Sequence, residues 1–275
     1  MDTLENESLQ IDLSPFAASV HRVWSKKLGR MLNFALSKEE AHLTDPSYSG
    51  NTLGAYAGRV RNASLSISGI TYRLSANDGR NSLHGGLCSL RKLWRTVGKN
   101  KGHVIYETEL GHLEDGLPGN RRFRAGYLLR GDELLITLYG ESDRPTFLNL
   151  SNHLYWRIGE GSELEDRLTV RAGYAFADDE EFLPSGIVPV QSPLSLQPVP
   201  GKLNNAFALE GPLTLESKDI RVTMRTEAPY AVIYSGFCLP EPAIAIEPQN
   251  HLLLTGSIEG MLTCSLSISY QLEAF

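Results

Sequence analysis

The 275-residue chain is poor in cysteine: Cys88, Cys238 and Cys264 are scattered and odd in number. A disulfide framework needs paired, regularly spaced cysteines, so reduced thiols in a cytoplasmic setting are the expectation. No apolar run approaches the roughly 20 residues that span a bilayer as a helix. The opening Met1-Asp2-Thr3-Leu4-Glu5-Asn6-Glu7 is too acidic and polar for a signal or transit peptide. Basic residues are also in deficit. Lys+Arg 26 against Asp+Glu 32 leaves a net charge of -6, which argues against a nucleic-acid footprint. Helical periodicity is missing over any three turns, and only Ser37–Leu43 and Ser89–Trp94 read as a turn or two of helix. The chain lacks GxxxxGK[ST] and GxGxxG after a strand. No Cys or His pair has zinc-ligand spacing, since His21, His42, His103, His112 and His251 stand apart. Ser151 has no G-x-S-x-G around it, so it is not a nucleophile elbow.

Turn residues and alternation are abundant. Gly 25 and Pro 14 punctuate the chain, and hydrophobic residues at 41% supply a core while excluding disorder. Leu262, Cys264, Leu266, Ile268, Tyr270 and Leu272 alternate with Thr263, Ser265, Ser267, Ser269 and Gln271, the period of a strand with one buried face. Residues 64–76 read as a hairpin turning at Ser68-Gly69, and 127–139 as another turning at Gly131-Asp132. Residues 219–226 and 230–237 read as two more strands around Glu227-Ala-Pro229. Residues 178–202 read as a long surface connection. With no repeat or linker, one antiparallel β domain over 1–275 is the economical organisation.

Four segments carry groups capable of chemistry. In Thr146–Ile158, alternation sets Phe147, Asn149, Ser151, His153, Tyr155 and Arg157 on one face. That row reads as the floor of a polar cleft, or equally as a solvated face with an incidental histidine. In Pro242–Asn250, Glu247 follows a small apolar strand and precedes Pro248, which keeps it extended. Partial desolvation there raises a carboxylate towards the range of a general base, whereas a strand-end glutamate facing water would do nothing. Asn81-Ser-Leu-His-Gly-Gly86 lets the chain turn sharply after His84 and lets a ligand approach the backbone; its plain alternative is a surface turn. Arg59 and Arg61 share one face of an extended segment and offer guanidinium donors to sugar, carboxylate or phosphate oxygens.

In order and spacing these segments resemble the aldose 1-epimerase (galactose mutarotase-like) family. The resemblance runs from about Gly54 to Tyr270, through Gly58-Arg59-Val60, Asn77-Asp78-Gly79 and the His84-Gly-Gly motif. It continues with Ser151-Asn-His-Leu-Tyr-Trp156, Leu183-Pro-Ser-Gly186 and Ile246-Glu-Pro-Gln249. It implies an all-β, single-domain antiparallel β-supersandwich with few short helices. It also implies interconversion of the α and β anomers of a free hexose, without metal or cofactor. Glu247 would be the general base for the C1 hydroxyl and His153 the general acid for the ring oxygen, on opposite sides of the sugar. Arg59, His84, Tyr155, Asn204 and Gln249 would surround the substrate. The partner implied is a small-molecule sugar, with no nucleic acid and no membrane, on a monomer or homodimer.

Three departures accompany the resemblance. Asn204 in Leu203-Asn-Asn-Ala-Phe207 stands where the family carries a sugar-binding aspartate, and an amide accepts a hydrogen bond more weakly than a carboxylate. The chain is shorter than galactose mutarotases usually are, which implies missing loops over the cleft. Trp156 stands where phenylalanine is common, a packing variation. A hexose-6-phosphate mutarotase would need a basic cluster, for which Arg61, Arg80, Arg121 and Arg122 are available. A carbohydrate-binding sandwich without catalysis is the alternative from another class. Glycoside hydrolysis needs two carboxylates, and only Glu247 has a suitable setting.

Overall fold

Alternating small polar and large apolar residues draw most of the chain into strands, whose two faces then part into core and surface. The computed structural model describes residues 1–87, 89–160, 165–252 and 256–275, so Cys88 lies outside the described residues. Strands β1 (Asp2–Glu5), β2 (Leu9–Ser14), β3 (Ser19–Ser25) and β4 (Arg30–Met31) form an antiparallel sheet in chain order. Short ribbons follow from β5 (Thr52–Leu53), β6 (Arg59–Val60), β7 (Ser64–Ile67), β8 (Ile70–Arg73) and β9 (Ser82–Leu83). A meander of β10 (Arg95–Lys99), β11 (His103–Leu110), β12 (Arg121–Arg130) and β13 (Glu133–Thr146) begins the large sheet. Next come β14 (Ser151–Asn152), β15 (Tyr155–Trp156), β16 (Arg167–Asp178), β17 (Pro184–Pro189) and β18 (Leu194–Leu196). The chain ends with β19 (Asn204–Glu216), β20 (Ile220–Thr226), β21 (Tyr230–Tyr234), β22 (Ile244–Gln249), β23 (Ser257–Ile258) and β24 (Met261–Ala274).

The large sheet runs β10-β11-β12-β13-β24-β20-β19-β21-β22-β15, and β16 joins it through β19. Strand β19 is the fork. Its residues Leu213 to Glu216 pair with β20, while Asn204 to Ala208 pair with β21, and β16 holds its other edge. So β20 and β21, read as neighbours around Glu227-Ala-Pro229, do not pair with each other, and the second strand stops at Tyr234. The hairpin turns lie where the sequence puts them: Ser68 and Gly69 both have positive φ between β7 and β8, the geometry that a two-residue turn requires.

In β24 the residues Cys264, Leu266, Ile268, Tyr270 and Leu272 are buried as their alternation predicts. Leu262 is exposed instead, because the ladder to β13 shifts register between Glu141 and Thr146 and leaves that end of β24 uncovered. One hydrophobic cluster extends through the sheets, including Ile11, Leu65, Phe123, Leu168, Ile233 and Leu266. Trp156 belongs to it, its ring edge-on to Tyr270 with centroids 4.9 Å apart. The cluster's continuity makes burial of both sheet faces the main source of stability.

Other expectations are revised. Glu39–Leu43 forms a short 3-10 turn, but Ser89–Trp94 forms no helix. Residues 178–202 are not merely a surface connection, since β17 and β18 both pair with β16. The segment 146–158 is not one strand with a solvated face. It breaks into β14 and β15, and every residue from Thr146 to Trp156 is buried. Its two sides meet the hydrophobic core and the floor of a cavity, so alternation there separates core from cavity wall.

Candidate active site

The cavity lies over β19, β21 and β22, has a volume of about 220 Å³, and is flanked by the loops that carry Tyr48, His84 and Phe182. That is smaller than the roughly 300–1,000 Å³ of pockets for drug-sized ligands, and its lining mixes rings with a few polar groups. Arg59, His84, His153, Tyr155, Asn204, Glu247 and Gln249 all line it. Seven residues spread over 191 positions of sequence therefore converge on one space. The floor follows from the register: Glu247 pairs with Val232 and Val232 with Ala206, so these three cross adjacent strands, and all face the cavity.

His153 Nε2 lies 3.3 Å from Glu247 Oε1, and both side chains are almost fully buried. Loss of solvent penalises each charged form. Burial pushes Glu247 up to about 8, only partly opposed by the Arg59 charge, and pulls His153 down to about 4. At neutral pH the pair thus holds one proton, resting on the carboxyl. Its outward atoms are unsatisfied: His153 Nδ1, Glu247 Oε2 and Gln249 Nε2 are buried without hydrogen-bond partners. Buried polar atoms are normally paired, so three orphans around one cavity mark a place for a polar ligand. Whereas the sequence reading sets the acid and base on opposite sides of a ligand, they stand side by side in contact, which leaves no room between them for it. That suits two oxygens on the same carbon.

His84 is held by its backbone. His84, Gly85 and Gly86 have φ values of 50°, 89° and 69°. A Cβ on Gly85 would lie 2.2 Å from the Gly54 carbonyl oxygen, and one on Gly86 would lie 2.3 Å from Ser75 Oγ. The glycines therefore admit the protein's own chain, not a ligand. His84 Nδ1 accepts a hydrogen bond from the Gly58 N–H at 3.1 Å, which leaves Nε2 as the protonated donor. Burial and the neighbouring His153 hold its pKa well below the ordinary histidine value, so it is a neutral donor. Arg59 Nε donates to Asp78 Oδ2 at 2.7 Å, and its guanidinium lies over the Phe182 ring, 5.4 Å from the centroid.

Tyr155 contributes its ring to the wall, while its hydroxyl donates to the Ser47 carbonyl at 3.2 Å and is not free for a ligand. Gln249 Oε1 accepts from Asn149 Nδ2 at 3.3 Å. The rest of the anticipated polar floor does other work. Asn149 also donates to the carbonyls of Ala57 and His251, and Arg157 pairs with Glu241 at 3.2 Å. Arg61 does not share a face with Arg59, because the chain turns into a 3-10 segment at Arg61–Ala63, and Arg61 instead pairs with Asp179 at 2.7 Å. Glu247 lies within β22 and not at its end, since Pro248 and Gln249 continue the strand. His21 and His42 do not stand apart: Nδ1 of the first lies 3.0 Å from Nε2 of the second.

Sequence reasoning missed several walls. Tyr48, Phe182, Tyr234 and Phe237 line the cavity with aromatic surface, and Cys238 lies at its rim. Asp178, inside the supposed surface connection, is a second carboxylate facing the cavity, and burial raises it to about 6. Only the Asp178–Pro184 run of polar and proline residues hinted at it, and that reads as a loop. Among the described residues, His84, His153 and Glu247 also bring metal-ligand atoms within 4.8 Å of one another. Two imidazoles and a carboxylate are a donor set that a transition metal accepts.

A large all-β sandwich that closes a neutral His–Glu pair inside an aromatic-walled cavity is a galactose mutarotase-like architecture. Among solved structures it superposes on a GalM/aldose epimerase homologue from C. elegans with TM-score 0.91 and 22% identity, over 99% of this chain and 98% of that one. It superposes on galactose 1-epimerase from Lactobacillus acidophilus NCFM with TM-score 0.87 and 23% identity, over 99% and 93%. At these identities the likeness establishes the fold. Residues 2–260 match the family described as Aldose 1-epimerase, and the chain belongs to that family. Galactose mutarotase of Sus scrofa is 29% identical over 197 residues, 68% of this chain and 57% of the relative. Aldose 1-epimerase of Haemophilus influenzae is 31% identical over 153 residues, 54% of this chain and 45% of the relative. The matched part thus spans about half the length of these curated relatives. The near-complete overlap with the C. elegans homologue shows that the compact chain is not peculiar within the fold.

Proposed function

We propose that the protein is an aldose 1-epimerase acting on a neutral free hexose. The observation that carries the reading is the 3.3 Å contact between buried His153 and Glu247, with their outward atoms unsatisfied in a hexose-scale cavity. Moving the shared proton from Glu247 to His153 arms the pair without changing its total charge. Glu247 then takes the proton from the C1 hydroxyl while the C1–ring oxygen bond breaks, and His153 protonates the departing ring oxygen. The open aldehyde rotates about C1–C2. Reclosure on the other face returns one proton from Glu247 to O1 and one from the ring hydroxyl to His153. Neutral His84 donates to a sugar hydroxyl, and Arg59 favours the carboxylate form of Glu247 by its charge.

A neutral substrate fits better than a phosphorylated one because the candidate phosphate ligands are already engaged. Arg61 pairs with Asp179 and Glu181, Arg80 with Glu181, Arg121 with Asp115, and Arg122 with Glu109 and Glu141. In this reading the His84–His153–Glu247 cluster works as acid, base and donor without a metal, so EDTA leaves the rate unchanged. No helix among the described residues is long and apolar enough to cross a membrane. We place the enzyme in the cytoplasm as a monomer or homodimer. Polarimetry of freshly dissolved α-glucose and α-galactose tests the function: catalytic protein accelerates the approach to anomeric equilibrium. Sugar binding without accelerated exchange would make it a carbohydrate-binding module instead.

A further inference from the structure

The cavity has a second polar wall that the acid–base chemistry does not use. Around it the carboxylates are paired: Asp78 with Arg59, Asp179 with Arg61, and Glu181 with Arg80. Asp178 is the exception. It lines the cavity, yet among the described residues no hydrogen bond or ion pair reaches its carboxylate. The ladder between β16 and β19 pairs Ala175 with Phe207, and Asn205 Nδ2 then donates to the Phe176 carbonyl. Continuing that register brings Asp178 opposite Asn204, whose amide also lines the cavity and is likewise without a side-chain partner among the described residues. A bare carboxylate and a bare amide thus line the same cavity.

Their place in the sheet fixes what they can meet. The row Tyr155–Ala245–Tyr234–Asn204 crosses adjacent strands by direct pairing, and Asp178 extends it by one strand. Glu247 stands two residues along β22 from Ala245, so three strand steps separate it from Asp178. Three steps of about 4.8 Å, with the two-residue offset of about 7 Å along the strand, set their main chains about 16 Å apart. Both residues line the one cavity, so a ligand that meets Glu247 with one end and Asp178 with the other has to cross it. With C1 at the His153–Glu247 pair, the hydroxyls remote from C1 are the ones that reach the far wall.

We propose that Asp178, on the same wall as the sugar-binding position already assigned to Asn204, binds a hydroxyl group remote from the anomeric carbon and sets which hexose epimer the enzyme prefers. The proposal rests on the mutarotase reading for the placement of C1. A carboxylate has four acceptor sites and suits a vicinal diol, while the adjacent amide supplies both a donor and an acceptor. Charge-assisted hydrogen bonds to such hydroxyls are stronger than neutral ones. The groups facing Asp178 are Arg59 with its partner Asp78, Asp179 with its partner Arg61, and across the cavity Glu247, His84 and Tyr234. Burial outweighs the attraction of Arg59 and keeps Asp178 titrating near 6, within an assayable range.

The test is steady-state mutarotation of glucose, galactose and their 3-, 4- and 6-deoxy forms by wild type, Asp178→Asn and Asp178→Ala. In parallel, the same sugars are titrated by ligand-observed NMR. Both variants should raise KM for the preferred hexose roughly ten- to hundredfold, with kcat within a few fold. Wild-type KM should rise as pH falls below 6, and the variants should lose that inflection. The deoxy sugar lacking the matched hydroxyl should bind wild type and Asp178→Ala equally. Unchanged KM, pH profile and epimer preference in both variants would overturn the proposal. A wild type that exchanges no anomers fails the mutarotase reading itself. The NMR titration then still reports whether Asp178 holds sugar, and equal binding by all three proteins overturns that claim too.

Discussion

Replacing Glu247 by glutamine separates catalysis from stability in a way few other interpretations of the site would produce. The fold keeps Glu247 protonated up to about pH 8, whereas an unfolded glutamate ionises near 4.5. For a carboxylate whose folded pKa is raised, stability is full below the unfolded value and is lost as pH rises towards the folded one. At pH 7 the mismatch costs the native state about 3 kcal/mol. Glutamine is a neutral near-isostere and does not carry that cost. It also offers an N–H to His153 across the existing 3.3 Å contact. Glu247→Gln should therefore be more stable than wild type at pH 7, with the gap growing from pH 4.5 to 8, while mutarotation falls roughly 10²–10⁴-fold. Urea unfolding at several pH values reads the first quantity, and polarimetry reads the second. A variant that keeps its rate, or a stability gap that does not vary with pH, would refute this account of the buried pair.

His153→Ala should lower kcat by a comparable factor while leaving hexose binding within a few fold, checked by polarimetry beside NMR titration. His42 stays neutral in the fold down to about 4, against 6.5 for an ordinary histidine, because burial and the neighbouring His21 outweigh the opposing hydrogen bonds to Asn51 and Ser49. A lowered histidine pKa gives stability that is full above pH 6.5 and lost as pH falls towards 4. The stability gap between wild type and His42→Gln should therefore narrow by about 3 kcal/mol over that range in urea titrations, and a constant gap contradicts it. Gly85→Ala should destabilise by at least about 2 kcal/mol and weaken sugar binding by displacing His84. Gly186→Ala, where an added Cβ meets nothing, should be silent when both variants are compared with wild type in urea unfolding. Glucose 6-phosphate should compete poorly with glucose because Arg61 and Arg80 are already ion-paired, and tight competition would reopen the phosphate reading.

Much of the site was legible because its chemistry sits in short local motifs. Glu247 and His84 lie in segments whose local pattern dictates strand or turn, His153 falls in the break between β14 and β15, and the cavity brings the three together. The β7–β8 and β12–β13 hairpins were legible for the same reason, since Gly69 and Gly131 supply a positive φ that glycine adopts readily. What depends on long-range pairing was not. The division of β19 between β20 and β21 follows from which neighbours arrive at its edge, and alternation carries no record of that. Burial of both faces of 146–156 likewise depends on loops more than a hundred residues away in sequence, such as Gly50 bonding His153 and Asn152. Asp178 and Phe182 were hidden by a polar, proline-containing stretch, and only the ladder from β16 brings them to the cavity. Two carboxylates in one cavity also bear on glycoside hydrolysis. A neutral His–Glu pair in direct contact suits proton transfer at one carbon, and no release of nitrophenol from nitrophenyl hexosides is the expected result.

Anomer exchange measured directly on the wild-type protein tests the central claim. In two-dimensional exchange NMR of equilibrated glucose and galactose near pH 7, catalytic amounts of protein should give α–β cross-peaks for at least one sugar, absent from the protein-free sample and from Glu247→Gln. If no hexose shows cross-peaks above the uncatalysed rate although sugar binding is detected, the buried His153–Glu247 pair is not an acid–base machine, and the account fails.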